Sequence, residues 1–160
     1  MKGDVIEDFI LAIVFLIFIA IVIIYSFIKR IFKVIAFSSF VYDEFIERPT
    51  KEVTEIINKI KMEHNVEIID PAVLIKNTDA QTYRPSFGIL YVDSKALVFE
   101  VLGPDENLKM TLIDKIVIDL KDIIEISKKD RFINVKTKDK TYSFHLSQAE
   151  KLESKLKEYI

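Results

Sequence analysis

The sequence predicts a membrane-anchored α+β protein: one N-terminal transmembrane helix, then an antiparallel β-barrel or sandwich of six to seven strands capped by a C-terminal helix. Three observations carry this. Phe9 to Ile28 is a run of twenty residues without charge, Pro or Gly. From about residue 66 the hydrophobic period changes from helical to two. Ser147-Gln148-Ala149-Glu150 then opens a last helical pattern with Leu152 and Leu156.

A helix rises about 1.5 Å per residue, so residues 9–28 span about 30 Å, the hydrocarbon thickness of a bilayer. The run is apolar on every side, which leaves no soluble face. A secretory signal would be shorter and would end in small residues, whereas Lys29-Arg30-Ile31-Phe32 follows here. Lys29, Arg30 and Lys33 are the membrane-flank anchors. They outweigh Lys2, which stands among three acids, so the positive-inside rule makes residues 1–8 a short extracytoplasmic tail. The expected location is the cell membrane, single-pass, N-terminus out, with the C-terminal domain cytoplasmic.

Residues 29–48 read as a juxtamembrane helix, with no breaker before Pro49. Its aromatic residues Phe32, Phe37, Phe40, Tyr42 and Phe45 suit two arrangements. One is a helix lying in the interface; the other is a stem packed on the soluble domain or on a second copy. A homo-oligomer formed through the helices of residues 31–60 follows from the second. Residues 49–65 hold an amphipathic helix started by Pro49 and Thr50. Its stripe Val53, Ile56, Ile57 and Ile60 is expected to cover one side of the following sheet. His64 at its end is a favourable partner for the helix dipole.

Residues 66–160 form the β domain. Val73–Asp79, Ser86–Asp93 and Ala96–Leu102 are the first strands, with Asp93-Ser94-Lys95 a tight turn. Gly103 to Asn107 is a loop. Leu108–Leu112 follows, either ending there or running on with a bend at Asp114; Lys115–Leu120 and Ile123–Lys128 come next. Two hairpins, turning at 128–131 and 138–140, lead to Phe132–Thr137 and Thr141–Leu146. In the last strand Tyr142, Phe144 and Leu146 face inward, and Thr141, Ser143 and His145 fall on the wet face. The closing helix is expected to start from a Ser147–Glu150 capping box and to bury Ala149, Leu152, Leu156 and Tyr159.

Composition excludes several functions. With no cysteine there are no disulfides, thiolate metal sites or thiol nucleophiles. From Asp43 onward 19 Lys and Arg face 22 Asp and Glu, unlike the basic face of a nucleic-acid binder. No phosphate-loop, dinucleotide, zinc-protease or serine-hydrolase motif is present. Asp114, Asp119, Asp122 and Glu125 lack the glycine of a calcium loop and read as a solvated strand face. No cofactor, metal or catalytic residue is expected. The basic group is Lys128, Lys129 and Arg131 with Lys136, Lys138 and Lys140. It reads either as a solvated edge that blocks strand pairing or as a contact for an anionic leaflet.

The order of elements resembles the pleckstrin-homology (PH) superfold, in particular its GRAM-like and prokaryotic PH-like members. Residues 87–101, FGILYVDSKALVFEV, look like the GRAM pattern of a glycine-started strand, a turn and a second strand. Residues 116–146 with the helix after them look like the second half of such a domain. The closing-helix Trp common in eukaryotic PH domains is missing. The phosphoinositide signature is poorly met, because only Lys76, Arg84 and Lys95 lie near it, diluted by Asp79 and Asp93. With no nucleophile–base pair or metal set visible, the domain reads as a non-enzymatic binding or scaffolding module. A domain already anchored needs no lipid affinity to reach a membrane, so a protein partner or scaffolding role is the first expectation. The second is binding of an anionic lipid headgroup through Lys128, Lys129, Arg131, Lys138 and Lys140.

Overall fold

The computed structural model describes residues 17, 19–29, 40–76 and 85–159. The chain divides into two units, residues 1–41 and 42–160. In the first, residues 19–29 are helical, with Ile21, Val22, Ile23, Ile24 and Phe27 exposed and Lys29 at the end. Among the described residues no helix is long and apolar enough to cross a membrane. Residues 9–16 and 18 of the expected span lie outside the described residues, as do Arg30, Lys33 and most of the juxtamembrane segment.

In the second unit residues 42–47 (α1) are helical, followed by Lys51–Glu63 (α2). Pro49 separates them, and the Thr50 hydroxyl accepts the Val53 N–H at 3.4 Å to start α2. Seven strands come next: Ile68–Lys76 (β1), Ser86–Val92 (β2), Ala96–Pro104 (β3), Met110–Asp119 (β4), Ile123–Lys129 (β5), Phe132–Thr137 (β6) and Thr141–Leu146 (β7). A 3-10 turn, Leu120–Asp122, joins β4 to β5, and Ala149–Leu156 (α3) closes the chain. All pairings are antiparallel, in the order β4-β3-β2-β1-β7-β6-β5. The expected six to seven antiparallel strands and C-terminal helix are therefore present.

The sheet wraps one core. Leu74, Leu90, Leu97, Phe99, Ile118, Ile133, Val135, Phe144 and Leu146 converge inside it, and α3 plugs it with Ala149, Leu152 and Leu156. Gly88 sits where the Phe99 ring and the Glu100 carbonyl leave no room for a Cβ. Two helices cover the other face. The α2 stripe places Val53 and Ile60 on Ile89, Tyr91, Val98 and Leu102, as its spacing predicts. On α1, Ile46 packs on Val73 and Ile75, with Tyr42 and Phe45 beside Phe87 and Phe132.

Several expectations need correction. β1 starts at Ile68, not Val73. Pro71 lies inside it with β2 as its only paired neighbour, since β7 first pairs at Ala72, so the missing N–H breaks at most one ladder. Between 108 and 120 the strand runs on as one, β4, starting at Met110. The bend is a bulge at Ile113, opposite Val101 and Leu102. The Ser147–Glu150 capping box does not form. Instead the buried Asp70 of β1 receives the Ser147 hydroxyl at 2.8 Å, the Gln148 N–H at 2.9 Å and the Gln148 side-chain amide at 3.2 Å. A carboxylate remote in sequence thus occupies the helix N-terminus that the local motif would have filled. Tyr159 lies beyond α3 and is exposed, its hydroxyl donating to Glu67 at 3.2 Å. Lys155 also pairs with Glu67 at 2.6 Å and holds that carboxyl below its ordinary value.

Denaturant unfolding in detergent micelles tests the cap. Asp70→Ala should cost about 2 kcal/mol, because it strands a backbone donor and two side-chain donors. Glu150→Ala, which removes only the local motif, should change stability by less than about 0.5 kcal/mol. The reverse order would restore the capping box.

Candidate functional site

Antiparallel hairpins that follow one another turn at opposite ends of their shared strand, and this separates the basic residues. Lys129 pairs with Phe132 at one end of β6, and Lys136 pairs with Thr141 at the other. Lys128, Lys129 and Arg131 therefore lie about 17 Å, the length of β6, from Lys138 and Lys140. The group that looks continuous in sequence is two separate turns. Lys136 is tied to Glu125 at 3.1 Å. Lys128, Lys129, Lys138 and Lys140 are exposed and make no ion pair among the described residues.

Arg131 is differently placed. Its Nη1 lies 2.9 Å from Asp43 and its Nη2 2.6 Å from Glu47, both on α1. These carboxylates, Glu47 first, push the guanidinium above its ordinary range. The same Asp43 Oδ1 lies 3.1 Å from Nε2 of His145. His145 is not on a wet face: it is 4% exposed, its ring edge-on to Phe132 at 4.5 Å and near Tyr42 at 6.2 Å. The alternation along β7 was read correctly, but α1 covers the outer face there. Nδ1 of His145 is buried and has no hydrogen-bond partner among the described residues.

A second polar group lies under the α2 side of the sheet. Tyr91 donates to Glu100 at 3.0 Å, and Lys115 of β4 reaches Glu100 at 3.4 Å and the Tyr91 oxygen at 3.5 Å. His64 leans on the Tyr91 ring at 5.7 Å. Burial, then Glu100, push the Tyr91 phenol well above its ordinary value, so it serves as a donor and not as a base. Among the described residues no group of three or more His, Cys, Asp and Glu could hold a metal ion.

The exposed apolar surface of the β domain gathers on β4. It is ten residues long and ends the sheet order, so among the described residues β3 is its only paired neighbour. Leu112 is 39% exposed, and Ile113 and Val117 are each 59% exposed. Met110 continues this line, and Leu108, held at a φ of 61°, stands out of the preceding turn. Sequence reasoning missed this edge, although a signal was present. Leu112-Ile113 and Ile116-Val117-Ile118 put apolar residues on both faces, as in a strand covered on both sides. At the other end of the order, β5 carries Glu125, Lys128 and Lys129 and a register shift between Ile123 and Glu125, which blunt it.

No family model matches the chain, and no curated protein matches it. Solved structures are distantly similar, two of them as follows. The C-terminal domain of an unknown protein from Leishmania infantum shares 17% identity over 67% of this chain and 94% of that chain, with a TM-score of 0.46. The N-terminal PH domain of the human ARAP2 protein shares 14% identity over 57% of this chain and 76% of that chain, with a TM-score of 0.43. Neither likeness is close enough to carry a function across.

The Tyr91 network makes a pH prediction. A phenol whose folded pKa is raised contributes stability below its unfolded value of about 10 and loses it as pH rises through the folded value. Unfolding midpoints of the wild-type chain should fall above about pH 10. Tyr91→Phe should lose less over the same range, and equal losses would contradict the assigned network.

Proposed function

We propose that this chain is a single-pass membrane protein whose β domain, PH-like in its strand order and closing helix, is a non-enzymatic protein-interaction or scaffolding module on the cytoplasmic side. The anchor rests on the uncharged run of residues 9–28 and on the exposed apolar side chains of its described helical residues 19–28. The orientation rests on Lys29, Arg30 and Lys33. The apolar stripes that an oligomer through residues 31–60 would use are spent within the chain between Tyr42 and Ile60. The partner of choice is therefore another protein.

One observation carries the interaction reading: the edge of β4, unpaired among the described residues, with Leu112, Ile113 and Val117 exposed along it. The Met110 N–H is held by Glu52 of α2 at 3.4 Å and the Lys115 N–H by Asp114 at 2.7 Å, and the remaining edge donors and acceptors beside apolar side chains suit an added strand, the backbone giving affinity and the side chains selectivity. Lys115, which could repel an incoming strand, is drawn back onto Glu100. A second reading, contact with an anionic headgroup, draws on the unpaired Lys128 and Lys129.

A photo-crosslinking residue at Val117, in membranes from cells expressing the chain, tests the first reading. The expected product is a protein adduct that falls about tenfold or more in Ile113→Lys, since a charge on an edge opposes strand addition. The unfolding midpoint should stay unchanged. An adduct insensitive to this substitution, or adducts formed only from the 128–131 turn, would sink the edge reading.

A further inference from the structure

We propose that α1 is a displaceable internal ligand of the β5–β6 turn, its Asp43 and Glu47 competing with anionic phospholipid headgroups for Arg131. The proposal rests on the headgroup reading of Lys128 and Lys129 given above. Arg131 divides its planar fork between two carboxylates one helical turn apart, at 2.9 and 2.6 Å. The same fork binds a phosphate through two parallel hydrogen bonds. The contact is open to exchange, because the three side chains are 44%, 42% and 49% exposed. Pairs this wet are weak and screened by salt.

Charge gives the competition its direction. With α1 docked, Lys128, Lys129 and Arg131 face Asp130, Asp43 and Glu47, and the cluster has no net charge. With α1 released, Asp130 alone opposes three cations, and an anionic surface meets two net positive charges. Asp130, at a φ of 53°, sits in the tight turn that carries Arg131 between Lys129 and Phe132. Release of α1 would also free Asp43 from His145 and uncover Tyr42, Phe45 and Ile46, which now pack on the sheet.

Hydrogen exchange of the full chain, reconstituted in phosphatidylcholine vesicles with or without phosphatidylserine, tests this. Phosphatidylserine should speed exchange of residues 42–47 about tenfold and protect residues 128–131. Asp43→Asn with Glu47→Gln should make residues 42–47 exchange fast in both lipids and deepen the protection of the turn. Lys128→Ala with Lys129→Ala should abolish the lipid effect on α1. Unchanged exchange in β7 reports an intact fold in each variant. If the turn is protected while residues 42–47 do not respond, headgroup binding stands and the competition is overturned. If the turn gains no protection even in the Asp43–Glu47 variant, the headgroup reading fails, and the competition fails with it.

Discussion

The pairing of β1 with both β2 and β7 is the constraint on which the domain depends. The strand order places β1 between β4-β3-β2 and β7-β6-β5, so it joins two three-stranded blocks into one sheet. Its Ala72 and Leu74 enter the core, and its Val73 and Ile75 lie buried on the other side. At its start, Asp70 fixes the entry of α3, which then plugs the core. One strand therefore sets the positions of the sheet halves, the plug and the docking surface for α1. These contacts bridge more than seventy residues of sequence at Asp70–Ser147 and Val73–His145. Their loop-closure cost is repaid only when hydrophobic burial on both faces comes with them.

What the sequence showed clearly was local. Phe132–Thr137 and Thr141–Leu146 are read at the right residues because strict alternation and tight turns are written within a few positions. The stripe of α2 was legible for the same reason. What failed was decided at a distance. The first strand is expected to start at Val73, yet it begins at Ile68 and carries Pro71 at the margin of a ladder. The Ser147–Glu150 box lost to a carboxylate on β1. His145 alternates as a surface residue, but its burial depends on α1, a segment a hundred residues earlier. The basic residues clustered in sequence because hairpins are short, and separated in space because successive turns point opposite ways. The β4 edge escaped notice because its apolar residues on both faces imitate an interior strand.

These departures concern the surfaces that bear on function. The two ends of the sheet differ in chemistry. β5 is charged and irregular, with its basic turn held partly neutral by α1. β4 is longer and carries more exposed apolar side chains, though it too has a bulge, at Ile113, and charges at Asp114, Lys115 and Asp119, with Lys115 held by Glu100. Such an edge is costly to keep, since it invites unwanted strand pairing. That cost is understandable if the edge has a partner, and the anchored placement proposed for the domain would bring it to that partner without lipid recruitment.

The most direct measurement is amide hydrogen exchange along β4 in native membranes, compared with the same chain purified in detergent. Strand addition predicts that backbone amides between Met110 and Asp119 exchange at least about tenfold more slowly in the membrane, with β5 unchanged. Equal rates along β4 in the two preparations would contradict the claim that this edge is where the protein meets its partner.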